Sequence, residues 1–269
     1  MKKISALVIT TIIALNCFAY EYSFALPGKK AAQHWITAGV RGTFNSTWLL
    51  NKNMQNDDGM KYIPSWGYAG GIMLGFHLNN IVAIDGEFMY AVYSQRYKDG
   101  EKDSLTWKAR TDLAYLEIPI LLRFDFENYK YLEFGVRFGI LNKATESFTL
   151  DNDPLGFSYT NKEAKDPVTG ESYYEKKNMA LVFGWGGGIW GNGGLLISGG
   201  LRFTYGLSDI VSEAGGQGQD YYTMDNGTKQ TYEATHTATV GFHLIADFDI
   251  GWFVSSSCGR NHKFVMFSH

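Results

Sequence analysis

Residues 131–140 read Tyr131-Leu132-Glu133-Phe134-Gly135-Val136-Arg137-Phe138-Gly139-Ile140. Leu132, Phe134, Val136, Phe138 and Ile140 share one parity; Glu133, Gly135, Arg137 and Gly139 share the other. A β-strand sends successive side chains to opposite faces, so counting in twos follows one face. This stretch is a strand with one greasy face and one charged face.

The same logic recurs on both sides of it. Towards the N-terminus, Ile36, Ala38, Val40 and Phe44 oppose Thr37, Gly39, Arg41 and Thr43. Tyr68, Ile72, Leu74 and Phe76 oppose Ala69, Gly71, Gly75 and His77; Val82, Ile84, Phe88, Tyr90 and Val92 oppose Asp85 and Glu87. Leu116, Ile118, Ile120, Leu122 and Phe124 oppose Tyr115, Glu117, Arg123 and Asp125, although Leu113 and Leu121 break the pattern on the polar side. Towards the C-terminus, Leu181, Phe183, Trp185 and Ile189 oppose Ala180, Gly184, Gly186 and Gly188. Leu195, Ile197, Leu201, Phe203 and Tyr205 oppose Ser198, Gly200, Arg202 and Thr204. Ala238, Val240, Phe242, Leu244, Ala246 and Phe248 oppose Thr235, Thr237, Thr239, Gly241, His243 and Asp247.

The charged face decides the environment. A soluble barrel facing the other way, like a lipocalin, turns its apolar face inward and leaves the charged face in water. The opposite orientation places Arg41, Asp85, Glu87, Glu117, Arg123, Glu133, Arg137, Arg202 and Asp247 in a polar lumen and the apolar face in lipid. A lone charge in a hydrophobic core costs several kcal/mol or more, so these charges do not sit in an apolar core. Alternation of apolar-out and polar-in is the mark of transmembrane β-barrels. Roughly ten residues, tilted by roughly 45°, span the bilayer core. The predicted fold class is therefore all-β: an antiparallel up-and-down transmembrane barrel of about eight strands with long external loops.

Residues 181–201 carry no charge and are long enough for a membrane helix, but hold nine glycines. Each glycine costs about 1 kcal/mol relative to alanine inside a helix. Gly191-Asn192-Gly193-Gly194 at the centre is a hairpin turn, which divides the segment into two strands.

Connections alternate in length. Short turns are expected at Asn79-Asn80, around Glu127 to Tyr129, and at Gly191 to Gly194; long connections at 45–65, 94–109, 142–178 and 208–234. Short periplasmic turns and longer external loops are the habit of outer-membrane barrels. Trp35, Trp48, Trp66, Tyr90, Tyr93, Phe124, Phe126, Tyr129, Tyr131, Trp190 and Tyr205 cluster near strand ends, which predicts aromatic girdles at the two interfaces. Pro119 has no N–H to donate, so a bulge or local distortion is expected there.

The N-terminus reads as a secretion signal: Lys2 and Lys3, an apolar run over residues 4–19, and Ser23-Phe24-Ala25 as a small-x-small cleavage site. Cleavage after Ala25 removes Lys2, Lys3 and Glu21 and takes the formal charge from −3 to −4. The organisation is a signal at 1–25, an outer-membrane barrel domain at 26–253, and a C-terminal tail at 254–269 that lacks the alternation. Cys17 leaves with the signal, and Cys258 alone makes no internal disulfide. An aromatic content of 16% with 31 glycines suits short strands rather than helices. No block of basic residues points to nucleic acid.

The segment Tyr115-Leu116-Glu117-Ile118-Pro119-Ile120-Leu121-Leu122 resembles a recurring strand of the PorT-type outer-membrane β-barrel proteins, and Tyr131 to Arg137 is similar to the strand that follows it there. The resemblance, in layout, covers roughly residues 30–250. It implies an eight-stranded outer-membrane barrel of the small OmpA/OmpX-like kind. The family's namesake is linked to protein export across the outer membrane, so an envelope or secretion-machinery protein is an implied partner. Where such barrels usually finish on an aromatic residue, Phe248 or Phe253 serves here, yet the chain continues to His269.

The lumen charges are the best chemical constellation, and their expected role is structural, as ion pairs that fill a narrow interior. No cofactor or metal motif is present. Asp209, Glu213, Asp220, Asp225 and Glu233 lie in one loop, but their spacing matches no standard calcium loop. A hydrolase needs His with Ser, Asp or Glu partners; His243 is inward, and His236 lies near Thr235 and Glu233 without a compact His-x-Ser arrangement. The functional expectation is a non-enzymatic, monomeric barrel in outer-membrane lipid that displays external loops. The alternatives are a small pore or an accessory of a protein-secretion system and, less favoured, a membrane-embedded hydrolase.

Overall fold

The computed structural model describes residues 34–56, 60–78, 81–99, 106–151, 153, 155–192, 194–217, 222–223, 227–255 and 262–266. The expected signal at 1–25, the turn at Asn79-Asn80, and Cys258 lie outside the described residues.

Eight long strands form the barrel: β1 (His34–Leu50), β2 (Ser65–His77), β3 (Val82–Asp99), β4 (Trp107–Asp125), β5 (Lys130–Leu150), β6 (Lys177–Asn192), β7 (Leu195–Gly206) and β8 (His236–Ser255). Each pairs antiparallel with the next, and β8 pairs with β1 from His34 opposite Phe253 to Leu50 opposite His236. That last seam closes the ring and removes the sheet edges, as lipid requires of every backbone polar group. Among the described residues no helix is long and apolar enough to cross a membrane. Residues 181–201 form the β6–β7 hairpin.

The orientation is that expected from the alternation. Ile72 is 60% exposed and Leu244 59%, whereas Glu133 is 0% and Arg41 2% exposed. Apolar side chains face outward all around the ring while charged ones are shut inside. Leu113 and Leu121, which broke the pattern, are both buried inside. The lumen is therefore layered rather than uniformly polar. Leu113, Tyr93, Tyr115, Met89 and Ala91 pack together toward the long-loop end, and Met73, Tyr131 and Ile245 form a second cluster.

Two of the expected girdle aromatics belong to this interior: Tyr93 is 4% and Tyr131 1% exposed. Both share parity with the charged residues of their own strands, and parity outweighs nearness to a strand end. Trp66, Tyr90, Phe126, Trp190 and Tyr205 do face outward. At Pro119 the register is unshifted: Gly86 lies opposite Ile120 and Met89 opposite Glu117, but the two intervening pairs are missing on the β3 side. The proline thus interrupts the ladder where its N–H is lacking without bulging it. The register shift in this strand falls earlier, between Ala114 and Tyr115 against β5.

The strands outrun the apolar alternation. β5 spans 21 residues and β4 spans 19. Alternation reports contact with lipid, whereas backbone pairing continues past the bilayer into the loops. Short strands add to this extension: Met60–Ile63 pairs with the end of β3, and Tyr159–Glu163 with the end of β5. At the opposite end, β8 continues to Ser255 and His262–Met266 pairs with Gly251–Ser255, so part of the 254–269 tail is strand.

Candidate functional site

The lumen is held shut at mid-height by four side chains, one from each odd-numbered strand: Arg41 on β1, Glu87 on β3, Glu133 on β5 and Arg202 on β7. Arg41 Nη1 donates to both Glu133 oxygens at 3.0 Å and lies 2.9 Å from Glu87 Oε1. Arg202 donates from Nη1 and Nη2 to the two Glu87 oxygens, each at 2.9 Å, and from Nε to Glu133 Oε1 at 2.8 Å. The result is a neutral ring of two guanidiniums and two carboxylates. Planar, forked guanidiniums suit such bidentate pairing. The stagger of a tilted barrel brings alternate strands to one level, so their side chains meet while the intervening strands make room. Gly184 on β6 does so: a Cβ there would lie 2.6 Å from Glu133 Oε1.

Above this ring, toward the long loops, Arg137 Nη1 lies 3.2 Å from Glu117 Oε1. Tyr93 joins them, accepting from Arg137 at 2.5 Å and donating to Glu117 at 2.7 Å. Below the ring, Arg123 Nε donates to Asp125 at 2.7 Å, reaches toward Asp247 at 3.8 Å, and places its guanidinium 4.2 Å from the Tyr131 ring centroid. Tyr131 in turn hydrogen-bonds His243 Nε2 at 2.5 Å. Asp85 is buried on the same inward face, and neither of its carboxylate oxygens has a hydrogen-bond partner among the described residues. The nine residues singled out in the sequence are all buried inside, and eight of them fall into these three groups. Tyr93, Tyr131, His243 and Asp125 join them, and the sequence signal for each is its parity with a charged residue of its own strand: Glu87, Glu133, Asp247 and Glu117 respectively.

The long-loop end is capped by the loops themselves. Ile210 is fully buried against the interior cluster that contains Leu49, Leu113 and Tyr115. It is pinned by its backbone: its N–H donates to Thr235 O at 3.0 Å, and its carbonyl accepts from Glu175 N at 2.8 Å. Two asparagines tie the first loop to the last. Asn51 Nδ2 donates to Thr235 Oγ1 at 2.7 Å, and Asn53 donates to Thr231 O and accepts from Glu233 N, each at 2.8 Å. Asp209 latches the fourth loop by accepting from Val211 N, Thr235 N and Tyr232 Oη. Burial, and then the adjoining Asp209 carboxylate, pushes the Tyr232 phenol above its ordinary range.

Asp209 is engaged in that latch, Glu233 reaches Lys52 at 3.4 Å, and Asp220 and Asp225 lie outside the described residues. Among the described residues no group of three or more His, Cys, Asp or Glu side chains is placed to hold a metal ion. His236 Nδ1 lies 3.2 Å from the Ser208 carbonyl, and its ring stacks on Tyr205.

Residues 31–212 match the family model described as outer membrane protein beta-barrel domain. No curated protein matches the chain in sequence. Among solved structures, similar ones include Ail, the attachment invasion locus protein of Yersinia pestis, at 13% identity over 79% of this chain and 98% of that one, with a TM-score of 0.34. Neisserial surface protein A is 13% identical over 81% of this chain and 98% of that one, at a TM-score of 0.30. The outer membrane protein OprG from Pseudomonas aeruginosa is 11% identical over 81% and 96%, at 0.33.

Proposed function

The chain belongs to the outer membrane protein beta-barrel domain family, and from that premise we propose that it is a closed interaction barrel: a rigid transmembrane ring that displays a crown of structured loops and conducts nothing. The observation that carries this reading is the Arg41–Glu87–Glu133–Arg202 ring, which crosses the lumen with side chains from four strands. A pore needs a continuous wet path, and here the mid-height is occupied by mutually bonded side chains, with Ile210 buried above them. The crown supports the display role, since ordered loops bind a partner with less loss of entropy than loose ones. Planar-bilayer recordings test the reading, with protease protection used to verify insertion. Inserted protein is expected to give no stable conductance steps. A reproducible open level from inserted protein overturns it.

A second reading, an accessory of a protein-secretion system, draws support from the PorT-type resemblance of residues 115–122 and 131–137. Crosslinking from the loops in native membranes tests it; recovery of no envelope protein counts against it. The same proposal assigns the barrel no catalytic role. His243 is buried against Tyr131, and His236 is half-buried with Nδ1 on a backbone carbonyl; among the described residues neither has a carboxylate or serine hydrogen-bond partner of the kind hydrolysis needs. Lipid or peptide hydrolysis by the purified protein that disappears with His236→Ala would reverse that assignment.

A further inference from the structure

The outward faces of β3 and β4 change character at the same level. On β3 the outward residues run Ile84, Phe88, Tyr90 and Val92, then Arg96 and Lys98; on β4 they run Phe124, Leu122, Ile120, Ile118 and Leu116, then Asp112, Arg110 and Lys108. The register sets the cations directly against one another: Arg96 opposite Arg110 and Lys98 opposite Lys108. The strand Met60–Ile63 extends the row, with Lys61 opposite Lys98. All five cationic residues are exposed.

Like charges directly opposite on a sheet destabilise it. Two carboxylates relieve the row in part: Asp112 sits 2.8 Å from Arg110 Nε, and Asp151 Oδ1 lies 3.9 Å from Lys108 Nζ. Arg96 and Lys98 have no ion-pair partner among the described residues. Four residues past Val92 correspond to about 13 Å along the strand, or roughly 10 Å along the membrane normal after tilt. That is the headgroup level, within reach of long side chains that snorkel back toward the interface. Trp66 and Tyr90, outward on the neighbouring stretch, mark the hydrocarbon boundary just below.

We propose that this basic face binds the phosphate groups of anionic lipid in the outer leaflet, with Arg96, Lys98, Lys108 and Arg110 as the binding side chains. Guanidinium and ammonium groups in a two-by-two array match a phosphorylated headgroup lying against the barrel wall, and a bound anion relieves the repulsion that Asp112 and Asp151 leave between them. The assignment rests on the sheet facing lipid, as the family reading has it.

Native mass spectrometry of the full mature protein in detergent tests it, with lipid A, phosphatidylcholine and inorganic phosphate as separate probes. The parent is expected to retain lipid A over phosphatidylcholine. Arg96→Gln/Arg110→Gln and Lys98→Gln/Lys108→Gln are each expected to lower that retention on the order of tenfold, while Lys130→Gln, at the short-turn end, leaves it unchanged. Far-UV circular dichroism confirms that each variant is folded; should a double variant fail to fold, Arg96→Gln alone carries the comparison. Equal retention in parent and variants overturns the proposal. Displacement of lipid A by millimolar inorganic phosphate reassigns the site to free phosphate and overturns it equally. Failure of the folded parent to insert into any bilayer strikes instead at the orientation of the barrel.

Discussion

Arg41 and Glu133 meet across the barrel axis from β1 and β5, strands that are not neighbours, with Arg41 Nη1 3.0 Å from each carboxylate oxygen. Neither is accessible to water. Removing one partner of a buried pair leaves the other charge uncompensated, at a cost of about 3–5 kcal/mol. Glu133→Gln is therefore expected to lower the urea midpoint of the vesicle-inserted barrel sharply. Replacing all four members together, with Met for Arg41 and Arg202 and Leu for Glu87 and Glu133, is expected to cost less than that single change, because no charge is then stranded. An undiminished midpoint for Glu133→Gln would show that the ring is not a stabilising closure.

Gly135 is a second test of interior crowding. A Cβ there would lie 2.0 Å from the Ile120 backbone oxygen and 2.8 Å from Leu121 Cα. Backbone cannot step aside as a side-chain tip does, so Gly135→Ala forces β4 and β5 apart at the Glu133–Arg137 level. A loss of about 1–3 kcal/mol is expected, against near-neutrality for Gly42→Ala, where the added carbon meets nothing within 4 Å. Unfolding in urea of the two variants side by side decides the matter.

Ile210 closes the crown rather than the membrane ring. Ile210→Ala removes fully buried methyl groups, worth about 2 kcal/mol or more. Because the residue sits in the loop between β7 and β8, the cost falls on loop docking. Trypsin cleavage at Lys229 is expected to accelerate roughly tenfold while the barrel strands stay protected. Unchanged cleavage would mean that the loop is held by its hydrogen bonds alone.

Asp166, in the loop between β5 and β6, accepts from Val168 N at 2.7 Å and Thr169 N at 2.8 Å. These backbone N–H groups hold its carboxyl below the usual carboxylate range. A depressed folded pKa means that the turn's stabilisation is present above the ordinary carboxylate pKa and disappears as pH falls through the lowered value. The Val168 and Thr169 amide shifts in a pH titration by NMR are expected to move with a midpoint below the ordinary aspartate value of about 4. Movement centred at or above that pH would contradict the assignment.

The barrel was legible because its physics is periodic. One parity of 131–140 meets lipid and the other meets the lumen, and the same count places Arg41, Glu87, Glu133 and Arg202 inside. Parity says nothing about height, so the sequence did not tell which charges share a level; that follows from the tilt and stagger of the ring. Tyr93 and Tyr131 lie near strand ends, where interfacial aromatics are expected, but their parity turns both inward. The crown was hidden for a different reason. Asn51, Asn53, Asp209 and Ile210 act through contacts between loops far apart in the chain, and no period announces them. The strand extensions beyond the bilayer carry no such signal, because polar residues on both faces erase the alternation while the hydrogen-bonded ladder goes on.

The four members of the ionic ring come from four different hairpins, so no hairpin assembled alone contains a complete clasp. In a growing, still open sheet each of these charges remains hydrated. Stitching β8 to β1 must then squeeze out that water and lock the charges together in the same act. Completion of the cylinder and drying of its axis become one cooperative event, and a protein stalled before the final seam keeps a wet, ionic gutter in place of a sealed wall.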